Sequence, residues 1–99
     1  SQAHTLIIQS GTTGEKVKIT NSQKIARIAD QFVSLRFCRK TKARSDGWSY
    51  SLSWYDAQGN EQGSLTILSP GEVLWKDHYY TVQGGVVDTG LLEEWMETN

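Results

Sequence analysis

The chain has 99 residues and a formal net charge of −1 at neutral pH, a length that makes one domain (1–99) able to bury roughly two thirds of its unfolded surface. Charged residues are 21% of the total and aromatic residues 10%, including four Trp, a composition that excludes a disordered chain. No run approaches the roughly 18 apolar residues of a membrane span, and one cysteine excludes an internal disulfide and a cysteine-based metal framework.

In chain order, His4-Thr-Leu-Ile-Ile-Gln9 is β-branched without helical period and reads as a strand. Ser10-Gly-Thr-Thr-Gly14 is a turn, and Glu15-Lys-Val-Lys-Ile-Thr20 alternates charge with apolar, so the two strands form a hairpin. Lys16 and Lys18 suit a solvated face or edge. Thr20-Asn-Ser-Gln23 opens a helix, with Thr20 and Gln23 as a capping box or Asn21 as the cap. Ile25, Ile28, Ala29, Phe32 and Val33 then form one apolar stripe. Leu35, Phe37 and Cys38 read as a strand running into a mobile basic segment through Arg44.

The longest clear pattern follows. Trp48-Ser-Tyr-Ser-Leu-Ser-Trp54 alternates large apolar side chains with serine, the period of a strand with one buried face. Trp48, Tyr50, Leu52 and Trp54 share the core side. Asp56-Ala-Gln-Gly59 is a turn, Ser64-Leu-Thr-Ile-Leu68 a strand, and Ser69-Pro-Gly71 another turn. Val73-Leu-Trp75 and Tyr79-Tyr-Thr-Val82 flank a tight hairpin at Lys76-Asp77-His78, where Asp and His tolerate left-handed φ. Gly84-Gly85 ends the last strand. Asp88 caps a short helix that buries Leu91, Leu92, Trp95 and Met96 and exposes Glu93, Glu94 and Glu97. The expected fold is α+β: an antiparallel β-meander covered on one face by an amphipathic helix, with an N-terminal hairpin and a short C-terminal helix.

Charge is lopsided. Residues 1–45 carry nine basic side chains against Glu15 and Asp30, net +7; residues 46–99 carry Lys76 against nine acids, net −8. Either this marks a polar interaction surface or the two halves interleave and neutralise each other.

The residues offer three kinds of candidate site. For catalysis, Cys38 with His78 or His4 and Asp77 would supply a nucleophile and base, but no motif surrounds them. A lone cysteine is more often a small buried hydrophobe. Two histidines without ligand spacing do not make a metal site. The reading is non-catalytic, with no cofactor and no metal. For anions, Arg36, Arg39, Lys40, Lys42 and Arg44 put five cations in nine residues. Only Phe37 interleaves, and total charge is slightly acidic, unlike the footprint of a nucleic-acid binder; a solvated edge is the bland alternative. For carbohydrate or protein contact, Trp48, Trp75, Tyr55 and Tyr79 are candidates. Alternation gives Trp48 and Trp54 to the core, leaving Tyr55 as the aromatic most expected at the surface.

Ile19-Thr-Asn-Ser-Gln-Lys-Ile25, Gly47-Trp-Ser-Tyr-Ser-Leu-Ser-Trp-Tyr-Asp56, Gln58-Gly59, Ser64-Leu-Thr-Ile67 and Tyr79-Tyr80 together resemble a small uncharacterised domain of lipoproteins and surface proteins of Gram-positive bacteria. The likeness spans roughly residues 5–97 and departs at Lys76-Asp77, where that pattern has Asn-Gly. It implies a location outside the membrane, an anchor carried elsewhere in the parent protein, and no known chemistry. The start at Ser-Gln-Ala, without Met, fits a processed or trimmed chain. The expected function is an interaction module binding a partner protein or a cell-envelope polymer, with no nucleic acid. The alternative is a small anion- or nucleic-acid-binding domain that uses the basic segment Arg36–Arg44.

Overall fold

The computed structural model describes residues 3–43 and 46–98. Seven strands form one antiparallel sheet, in the order β2-β1-β4-β5-β6-β7-β3. Strand β1 (Thr5–Ser10) and β2 (Lys16–Ile19) are the expected hairpin, with Leu6 opposite Ile19 and Ile8 opposite Val17. Ser10 Oγ accepts from the amides of Thr12 and Thr13 at 3.2 Å, which sets the turn. Helix α1 (Ser22–Val33) is capped by Asn21, not by a Thr20–Gln23 box: its Oδ1 accepts from the amides of Gln23 and Lys24 at 2.9 and 3.0 Å. Asn21 is already extended at ψ 116°, so its short side chain reaches the free amides of the first turn.

Strand β3 (Arg36–Lys40) crosses to the far edge and pairs with β7 (His78–Gln83). The meander β4 (Tyr50–Tyr55), β5 (Glu61–Ser69), β6 (Glu72–Trp75) and β7 fills the middle. Asp56 closes the β4–β5 turn by accepting from the amides of Gln58 and Asn60, both at 2.9 Å, and Gly59 takes φ 84°. The β6–β7 turn is a two-residue loop, because Trp75 pairs directly with His78. Lys76 and Asp77 hold the left-handed conformation at φ 48° and 66°, so His78 is already strand. Helix α2 (Thr89–Thr98) starts with the Leu91 amide donating to Asp88 Oδ1 at 3.1 Å.

Side-chain alternation sorts the sheet into two faces. Leu6, Ile8, Val17, Ile19, Leu52, Ile67, Val73 and Val82 share one face and are buried. Leu91, Leu92 and Trp95 of α2, Val87 before it and Ile28 of α1 complete this core. Ser51 and Ser53 lie on the opposite face, as the alternation requires. Trp48 departs from expectation: it is 40% exposed. The ladder begins only at Tyr50, so Trp48 lies beyond the pleat that would have turned it inward. Its backbone instead packs on Gly11, where a Cβ would fall 2.1 Å from the Trp48 carbonyl oxygen.

The charge asymmetry takes spatial form in this order. Both edge strands, β2 and β3, come from the basic half, and β4 to β7 from the acidic half lie between them. Edge cations discourage pairing with other chains. The halves also meet directly: Lys40 on β3 forms an ion pair with Glu72 on β6, whose carboxylate side is buried.

Candidate functional site

The apolar stripe of α1 and the aromatic face of the meander face each other without closing. Between them lies a cavity of about 530 Å³ lined by Ile25, Ile28, Ala29 and Phe32 from the helix and by Leu6, Leu52, Trp54, Leu65, Val73, Trp75, Tyr80 and Phe37 from the sheet, together with Ala3. Of the predicted stripe only Ile28 is fully buried; Ile25 and Phe32 are half-buried, Ala29 is exposed, and Val33 is 82% exposed. Val33 lies about 100° around the helix from Phe32, which turns it off the cavity. The helix therefore stands over the sheet rather than on it.

Local chemistry explains the shape. Trp54 needs floor space, and Gly63 opposite it supplies it: a Cβ there would come within 2.6 Å of the indole Cζ2. The indole accordingly lies against β5. Phe32 and Phe37 stack at 6.4 Å between centroids, joining α1 to β3 at one wall. Trp75 and Tyr80 meet at 6.3 Å with their rings tilted by 55°, forming another. Gln31 ties α1 to the approach of α2, because its Oε1 accepts from the Asp88 amide at 2.8 Å. Phe37 and Trp75 remain 39% and 41% exposed, so the cavity opens on their side.

Cations border that opening. Lys76 Nζ sits 4.6 Å over the Trp75 ring. Arg39 lies opposite Tyr80 in the ladder, two residues from Phe37 and on the same sheet face. At the other side of the helix layer, Lys24 Nζ lies 5.5 Å over the Trp95 ring. Tyr50, on the core face near α2, has its phenol pushed above its ordinary value by burial, then by the charges of Glu93 and Glu97.

The residues singled out from sequence do not converge on one place. Alternation along β3 puts Phe37 and Arg39 on the cavity face and Arg36, Cys38 and Lys40 on the other. Lys40 is engaged by Glu72, Lys42 is exposed beyond the strand, and Arg44 lies outside the described residues. The basic segment is thus not a continuous patch within the described residues. Tyr55 is half-buried rather than exposed, because β4 is an inner strand flanked by β1 and β5. Cys38 is exposed, not a buried hydrophobe, because it faces outward on an edge strand. No grouping of three or more His, Cys, Asp or Glu able to hold a metal occurs among the described residues. Sequence reading missed the cavity itself. Both of its walls are legible as apolar faces, and α1 does lie over that face of the sheet as expected; the width of the space between them has no signature in the sequence.

No family model matches the chain, and neither the curated proteins nor the solved structures contain a match to it.

Proposed function

We propose that this domain is a non-catalytic binding module of an exported or lipid-anchored bacterial protein, and that it holds an apolar group of a cell-envelope component or partner protein in the cavity between α1 and the sheet. One observation carries the reading: a space of about 530 Å³ walled by aliphatic and aromatic side chains. Ligand sites run from roughly 300 to 1,000 Å³ and are predominantly apolar. At about 24 cal/mol per Å³, an enclosed void of this size would cost on the order of 10 kcal/mol, as much as the whole stability of a small domain. Such a space persists where solvent or a ligand occupies it. The location outside the membrane rests on the resemblance of the scaffold residues described above. The anion-binding alternative draws less support, since the described cations of residues 36–42 divide between two sheet faces and Lys40 is paired.

The test is uptake of a neutral apolar dye, N-phenylnaphthylamine, followed by its emission. The wild type enhances and blue-shifts the dye. Ala29→Phe projects a ring into the space from an exposed helix position and weakens uptake while leaving the circular dichroism spectrum intact. Equal uptake by that variant, or none by the wild type, refutes the assignment.

A further inference from the structure

Resting on the cavity reading, the geometry points to a ligand class: a single-chain amphiphile with an anionic head, its alkyl chain between α1 and the sheet and its head at the Phe37–Trp75 opening. The walls offer an alkyl chain no hydrogen-bonding partner to lose, and the lining runs from Leu6 on β1 to Tyr80 on β7, an elongated rather than a compact set of contacts. A wholly apolar ligand would need nothing at the mouth. Two cations are there instead. Lys76 is held over Trp75, which lines the cavity, and Arg39 shares a face with Phe37 and pairs across the ladder with Tyr80, both of which also line it. Among the described residues, the ion pair found is Lys40 with Glu72, on the other face, so Arg39 and Lys76 are not engaged by acids.

The neighbouring charges do not cancel this. Asp77 follows Lys76 in the turn and is exposed, and His78 lies opposite Trp75. On α1, Asp30 and Arg27 are both exposed and offset each other. The opening therefore carries an excess of positive charge beside an apolar interior. That combination selects a carboxylate or phosphate on a hydrocarbon chain over a neutral or cationic counterpart. The position of Lys76 supports a role in contact: it occupies a left-handed turn residue at φ 48°, where Asn or Gly is the ordinary choice. The turn thus places a long cation where a shorter side chain would satisfy the backbone.

The experiment compares dodecanoate, dodecanol and dodecylammonium, each below its micellar concentration, by calorimetry and tryptophan emission on the full chain. Dodecanoate binds roughly three- to ten-fold more tightly than dodecanol, the scale of two partly exposed charge contacts. Dodecylammonium binds most weakly. Added salt narrows the gap between acid and alcohol. The Arg39→Gln/Lys76→Asn double variant removes that gap and leaves dodecanol affinity unchanged; Asn keeps the left-handed turn favourable. Should the double variant unfold, Arg39→Gln alone with the salt series decides. Equal affinity for acid and alcohol, or preference for the amine, overturns the anionic head while leaving the apolar cavity in place. Failure of all three to bind removes both readings together.

Discussion

Replacing Trp54 with Ala discriminates an open cavity from one in which α1 rests on the sheet. A fully buried Trp removes about 150–250 Å² from water, worth about 4–6 kcal/mol at roughly 25 cal/mol per Å². Trp54 is only half-buried, because one side rests on Gly63 and the other faces the cavity. Half of that burial leaves about 2–3 kcal/mol. No large cavity term adds to it, since the truncation widens an existing space instead of emptying a closed one. Urea unfolding followed by far-ultraviolet circular dichroism, which does not depend on the indole removed, measures the loss. A loss above about 4 kcal/mol would mean that α1 closes over Trp54 in solution. A loss below about 1 kcal/mol would mean that the indole does not lie on Gly63. Either result refutes the geometry on which the cavity rests.

Three further outcomes are expected. Lys40→Met removes the ion-pair partner that β3 supplies to the buried Glu72 carboxylate and costs roughly 1–3 kcal/mol; a loss below about 0.5 kcal/mol in urea unfolding would show that this pair adds nothing to the fold. Asn21→Ala removes the acceptor for two first-turn amides and costs about 1 kcal/mol, whereas Asn21→Asp is near neutral; equal thermal melts for the two would discredit the cap. Tyr50 has a raised phenol pKa in the fold, so its contribution is fully present below the unfolded value of about 10 and is lost as pH climbs through the raised folded value. Above that unfolded value the wild type should lose stability faster than Tyr50→Phe, and parallel unfolding curves for the two across that range would contradict the burial of this phenol.

Local patterns determined most of the elements. Serine alternation through residues 49–53 sets which face of β4 is buried, since a pleated strand has a period of two and no freedom to mix faces. Asp56, Asn21 and Asp88 accept from amides within four residues and Gly59 supplies a positive φ, so their roles are readable without the rest of the molecule. The acidic face and buried stripe of α2 are equally local. Tertiary structure alone decided the rest. The crossing of β3 to the far edge beside β7 depends on pairing between residues about forty positions apart, and it exposes Cys38, divides the cations of β3 and brings Lys40 to Glu72. Trp48 fell outside because the ladder begins two residues later than its pattern suggests. The distance between α1 and the sheet was beyond any periodicity argument: hydrophobic alternation states which faces avoid water, but not whether two such faces meet each other or share a third, apolar occupant.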